Sequence, residues 1–228
     1  MTTAWVVDLH SHTFWSKDSL TRFETILRLC DQRGIDRIAI TDHNSTAGAR
    51  ALKALAPERV IVGEEIMTTQ GEILAYYVQE TVPAGLTPAE TIHRLRAQGA
   101  VISVSHPFDR LRKGAWREED LLRIVEQVDA IEIFNARCLF PQDNARAAAF
   151  AAQHGLRGTA GSDGHTAPEY GRALTRLRPF ADTPQDFLAA LSDAGYLQRL
   201  SGFHVHFGSS AAKWSRRLGF VPRPPQEE

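Results

Sequence analysis

The chain has 228 residues, 43% hydrophobic and 23% charged, with a formal net charge of −1. That supports one sizeable core, and it excludes the strong positive field of a chain built to grip duplex nucleic acid or an anionic membrane. No apolar run is long enough to span a bilayer.

The two cysteines, Cys30 and Cys138, sit in separate apolar surroundings, which predicts buried thiols in a reducing cytosol rather than a disulfide. The N-terminal stretch lacks a basic segment followed by an apolar one. No export signal is therefore expected, and the expected compartment is the cytoplasm.

Taken in order, short apolar runs alternate with amphipathic stretches. Strands are predicted over Ala4–Leu9, Arg37–Ile40, Arg59–Ile66, Ile73–Val78, Ala100–Val104, Ala130–Phe134 and Leu156–Ala160. Helices are predicted over Thr21–Arg33, Thr46–Leu55, Pro88–Gln98, Glu118–Gln127, Gln142–His154 and Pro184–Ala194. Gly34, Gly99, Gly155 and Gly195 stand where helix C-caps are expected. Repeated strand-then-helix order favours a parallel sheet or barrel. The tail from Ser201 has mixed character, and Pro222-Arg223-Pro224-Pro225 reads as a loose extension.

Polar clusters fall at strand ends. His10 and His12 are i and i+2 on a strand, so their imidazoles point the same way and can clamp zinc, iron or manganese. Thr41-Asp42-His43 follows the second strand, Gly63-Glu64-Glu65 lies in the third, and Glu72 opens the fourth. Ser105-His106-Pro107 and Asn135 end the fifth and sixth, and Gly161-Ser162-Asp163-Gly164-His165 ends the seventh. Of nine histidines, five (His10, His12, His43, His106 and His165) occupy these ends. In a parallel barrel such ends share one face, where active sites are built. His93 and His154 fall in predicted helices. His204 and His206 form a second His-x-His, expected to be a surface strand.

Together these segments resemble the polymerase and histidinol phosphatase (PHP) family, from Asp8 to about Ala190. The resemblance implies a distorted seven-stranded (β/α) barrel over residues 1–200, with 201–228 as a C-terminal extension. It also implies two or three zinc, manganese or iron ions and hydrolysis of phosphate esters. Carried over, His10, His12, Glu65 and Asp163 hold the first metal. Glu65 bridges to a second, completed by His106 and Glu72. His43 and His165 serve a third, with Asp18 as a further candidate. Strand alternation turns Glu64 to the opposite face. Asp8 and Asp42 are expected behind the ligands, orienting imidazoles, although Asp42 is itself a possible ligand. Many members carry histidine where this chain has Glu72, and a carboxylate favours harder ions.

The mechanism this implies uses a metal-activated water, with Asp163 at the reacting centre and with His43 or His165 as proton donor where it holds no metal. Lys17, Arg110, Asn135 and Arg137 are the candidates for binding substrate. The loop Phe108–Trp116, with Arg110, Arg112 and Lys113, is a candidate rim. Phe14 and Trp15 either stack on a base or pack under a loop. The expected substrate is a small phosphorylated molecule, possibly a nucleotide. The alternatives are an oligonucleotide exonuclease, a protein tyrosine phosphatase and a catalytically silent metal-binding scaffold.

Overall fold

A computed structural model of the chain describes residues 4–222. Nine strands are found among these residues: β1 (Trp5–Asp8), β2 (Arg37–Ile40), β3 (Val60–Met67), β4 (Glu72–Tyr76), β5 (Val101–Val104), β6 (Ala130–Asn135), β7 (Arg157–Gly161), β8 (Ala173–Leu177) and β9 (Gly195–Gln198). The helices are α1 (Phe23–Arg33), α2 (Ala47–Leu55), α3 (Pro88–Ala97), α4 (Glu118–Leu122), α5 (Pro141–His154), α6 (Pro184–Leu191) and α7 (Val205–Arg217). Among the described residues, no helix is long and apolar enough to cross a membrane.

Local chemistry explains several boundaries. Thr87 and Thr183 each accept a hydrogen bond from a backbone N–H three residues on, and proline follows each of them. Gly34 and Gly155 close α1 and α5 in the left-handed conformation that glycine adopts without strain. Gly195, expected to cap a helix, instead begins β9. The predicted helix over 118–127 breaks into α4 and a short 3-10 turn, Val125–Gln127. The β-branched pair Ile124-Val125, poor in helices, stands at that break.

The sheet runs β7-β6-β5-β4-β3-β2-β1-β8-β9. It curls until β7 returns beside β1, which makes a nearly closed barrel of mixed α/β type. Ser11 bridges to Gly164, and the Asp163 N–H donates to the His10 carbonyl at 2.7 Å. The all-parallel expectation is corrected at β4, which runs antiparallel to both β3 and β5. That inversion brings the start of β4, with Glu72, to the end where the parallel strands finish. The antiparallel pair β8–β9, joined through α6, takes the strand count beyond seven. Its two segments are short and carry polar residues, so they gave no sequence signal.

The tail also differs from expectation. His204 and His206 lie at the start of α7 rather than on a strand. The buried positions of that helix, Val205, Ser209, Ala212 and Arg216, follow a spacing of three and four. Of the proline-rich end, Arg223, Pro224 and Pro225 lie outside the described residues.

The barrel closes at Gly161. A Cβ there would stand 2.3 Å from the Cβ of His10, so only glycine lets β7 approach β1. Gly161→Ala should therefore lower stability to chemical denaturation by about 1–3 kcal/mol. Gly195→Ala, whose added Cβ meets Arg176 at an ordinary 3.6 Å, should leave the denaturation midpoint nearly unchanged.

Candidate metal centre

The strand ends bring together a buried set of imidazoles and carboxylates. The carboxylate of Glu65 is the hub. Its Oε1 lies 3.1 Å from His106 Nε2 and 3.3 Å from His10 Nε2, and its Oε2 lies 2.9 Å from His43 Nδ1 and 3.4 Å from His12 Nε2. Asp163 Oδ1 stands 3.2 Å from His12 Nε2 and 3.3 Å from His165 Nδ1. Glu72 reaches His106 Nε2 at 3.3 Å. Asp18 sits between His43 Nε2 at 3.4 Å and His165 Nε2 at 3.3 Å. Glu64 points away, and its carboxylate accepts from the Val82 N–H.

Hydrogen bonds fix which nitrogen each ring offers. His10 Nδ1 is 2.9 Å from Glu132 Oε1, a buried carboxylate that accepts the ring proton and leaves Nε2 facing the centre. His12 Nδ1 meets Ser16 Oγ, whose own proton goes to Asp42, so the hydroxyl accepts from the ring. As neutral rings, both would therefore present Nε2 lone pairs inward, only 3.1 Å apart. Two facing lone pairs repel unless a cation or a proton lies between them.

The charge balance points the same way. Burial disfavours the charged form of His10, yet Glu65, Asp163 and Glu132 outweigh it and hold the ring well above the usual imidazole range. His43 is raised against burial by Asp18 and Glu65. Against the same burial, His10 and His43 hold Glu65 low, while Arg112 and His10 hold Asp163 low. Burial and the neighbouring Glu65 charge push Glu72 up. Burial lowers His12 and His165 to about 4, helped by the neighbouring His43 and Arg137 respectively. Burial also raises both free thiols, Cys30 to about 12, which leaves neither suited to act as a thiolate nucleophile.

These residues fit divalent metal ions. Three trios present one donor atom each within 4.8 Å of one another: His10, His12 and Asp163; His43, Glu65 and Glu72; and His12, His43 and His165. Glu65 Oε2, Asp163 Oδ1 and Asp18 Oδ1 are buried without a hydrogen bond although imidazoles surround them. Donors that face a common point rather than one another are what ligation requires. Two of the candidates, His106 and Asp163, have positive φ, at 20° and 49°. Such strain persists only where the surrounding structure over-determines it.

The other candidates are distributed differently. Glu132 was not singled out from the sequence, since one glutamate inside an apolar strand carries no motif. It takes the role expected of Asp8. Asp8 instead accepts from the backbone of His10, Ser162 and Gly171 and from the Ser162 hydroxyl. Asp42 holds Thr13 and acts on His12 only through Ser16. Asn135 braces Glu132 and Asp163 at 3.1 and 3.2 Å.

Arg137 is buried against Glu169 and Ser209, Arg110 forks onto Asp143, and Lys17 is exposed. The cation of the 108–116 loop that enters the site is Arg112, paired with Asp163. That loop is packed down, with the Trp116 indole donating to the Glu72 carbonyl at 3.0 Å. Phe14 packs on Phe23 and Trp15, in accord with the packing alternative.

The chain is 38% identical over 143 residues to one uncharacterized protein of Methanocaldococcus jannaschii, covering 57% of this chain and 81% of that one. It is 32% identical over 194 residues to another from the same organism, covering 81% and 78%. It is 36% identical over 88 residues to a phosphoribosyl 1,2-cyclic phosphate 1,2-diphosphodiesterase of Eggerthella lenta, covering 35% and 33%. Among solved structures, PsfC of Pseudomonas syringae superposes with a TM-score of 0.70 at 20% identity, covering 93% of this chain and 99% of PsfC. A proposed metal-dependent phosphoesterase of Bifidobacterium adolescentis gives 0.59 at 17%, covering 71% and 88%. The profile of the PHP domain matches residues 8–115, and that of the PHP-associated segment matches 141–194. With the strand-end ligands assembled in one centre and these profiles spanning most of the barrel, the chain belongs to the PHP family.

Proposed function

We propose that the protein is a metal-dependent phosphoesterase that hydrolyses a small phosphorylated molecule, possibly a nucleotide. The observation that carries this is Glu65, whose two oxygens each face two imidazoles while the Nε2 atoms of His10 and His12 converge beside them. Bound there, two or three divalent ions would supply an activated water and neutralise charge on the phosphoryl oxygens and leaving group.

His10, His12, Glu65 and Asp163 would hold one ion, Glu65, Glu72 and His106 a second, and His43, His165 and Asp18 a third. His43 stands between the last two sets, because its Nδ1 faces Glu65 and Glu72 while its Nε2 faces Asp18.

The remaining residues set geometry. Glu132 and Asn135 hold His10 and Asp163 in place, and Arg112 occupies the Asp163 oxygen turned away from the imidazoles. With two ions and no third, His43 would instead be free as a proton donor to a departing oxygen: of the two candidate imidazoles it is the more open to solvent, its side chain 11% exposed against 1% for His165.

A small substrate is favoured over a polymer. α3 is the one helix between β4 and β5, and the cations nearest the centre are few rather than arrayed along a groove. The likeness over 88 residues to a diphosphodiesterase acting on a phosphoribosyl cyclic phosphate supports the same size class. An intact donor set argues against a silent scaffold.

Elemental analysis of protein prepared without chelator should find two or three transition metals per chain. Less than about one after reconstitution would defeat the polynuclear reading. Asp163→Asn and His10→Ala should each lower hydrolysis of a chromogenic phosphate ester by about 100-fold or more, with circular dichroism unchanged. Glu132→Gln, one contact further out, should cost about 10- to 100-fold.

Glu72 tests metal preference. Glu72→His should stay active with preference moved toward zinc, and Glu72→Ala should lose the metal that Glu72 shares with His106. Wild-type metal content and preference in both variants would remove Glu72 from the site.

A further inference from the structure

The family profiles end at residue 194, yet α7 lies beyond them and reaches the centre. Lys213 places its Nζ 3.1 Å from Asp18 Oδ2, the carboxylate that also faces His43 and His165. One turn on, Arg216 is buried and donates to the carbonyls of Phe14 and Ser19, 2.9 Å away in the second case, so it pins the loop that carries Asp18. One turn before Lys213, the Ser209 hydroxyl accepts from Arg137 at 2.8 Å. The helix is thus anchored on both sides of Lys213. A cleft of about 380 Å³ opens beside the helix, lined by Asp18, Leu20, Arg22, His165, Gly208 and Ala212 among others, and Lys213 adjoins it through its contact with Asp18.

We propose that Lys213 is the substrate-binding cation on the Asp18 side of the centre, taking a phosphate oxygen of the molecule bound there. This rests on the phosphoesterase reading. The centre already carries the carboxylates of Asp18, Glu65, Glu72 and Asp163, so an incoming phosphate needs cations at its edges. Arg112 supplies one at Asp163 and Lys213 the other at Asp18. The remaining basic candidates are paired away from the centre, Arg110 with Asp143 and Arg137 with Glu169, while Lys17 and Arg22 are exposed.

Lys213 differs from them in being both within reach of the centre and half-exposed, its side chain 52% accessible. A flexible stem with three donors can pass from a carboxylate to a phosphate oxygen by small rotations.

The test uses the full-length, metal-loaded protein with inorganic phosphate as probe, measured by titration calorimetry beside steady-state kinetics and elemental analysis. Lys213→Ala should weaken phosphate binding and raise KM by about tenfold, the loss of one charge-assisted contact, at unchanged metal content. Lys213→Arg should restore both to within about threefold. Wild-type phosphate affinity in Lys213→Ala would overturn the assignment while leaving the phosphoesterase reading intact. One extra metal per chain in Lys213→Ala would also overturn it, because the ammonium would then be holding a metal's place. A wild-type protein that neither binds phosphate nor hydrolyses an ester would sink the phosphoesterase reading, and this proposal with it.

Discussion

Burial of many charges in one small volume is the constraint on which the rest of the structure depends. Glu65, Asp163, Glu72, Asp18 and Glu132 lie within the barrel mouth with His10, His12, His43, His106 and His165 among them. At an effective dielectric of about 20, two like charges about 4 Å apart repel by roughly 4 kcal/mol. Such a cluster is tolerable only when cations are interleaved with it. The rings of His10 and His43, held well above the usual imidazole range by the carboxylates around them, and the guanidinium of Arg112 lie among those charges. Divalent ions would do so with more charge per site, which couples metal binding to folding.

The scaffold answers that constraint with rigid placement. β4 runs against its neighbours, so its first residue rather than its last meets the ligand face. The register opposes Met67 to Glu72, and the Glu72 N–H donates to Gly114 at 3.0 Å, so the 106–116 loop is fixed across the same edge. At Gly114 a Cβ would fall 2.0 Å from the Glu72 carboxylate, so glycine is required for that close approach. His106 and Asp163 both have positive φ, and the hydrogen bond from Asp163 N–H to the His10 carbonyl ties the 161–165 segment to the 8–12 segment.

α7 extends this logic past the barrel. Its buried face, Ser209, Ala212 and Arg216, meets the 136–137 and 14–19 segments, and its other face leaves Phe207, Trp214 and Leu218 exposed. A helix packed through a buried arginine is positioned by specific acceptors rather than by apolar area alone.

The sequence by itself determined the alternation of strands and helices and the identity of most donors. Short apolar runs mark β1 to β7, and five histidines at strand ends, spaced as His10-x-His12, Asp42-His43 and Asp163-x-His165, mark a candidate metal centre without reference to the third dimension. Tertiary structure alone decided what depends on contacts far apart in the chain. Glu132 is paired with His10 across 122 positions, Arg112 with Asp163 across 51, and Arg137 is drawn off to Glu169. The inversion of β4 and the β8–β9 pair follow from strand pairing, which short local patterns do not specify. The His204-x-His206 spacing suggested a strand, but the burial of Val205, Ser209, Ala212 and Arg216 made a helix. A residue's type and its neighbours set what chemistry it can offer, and the fold sets which partner reaches it first.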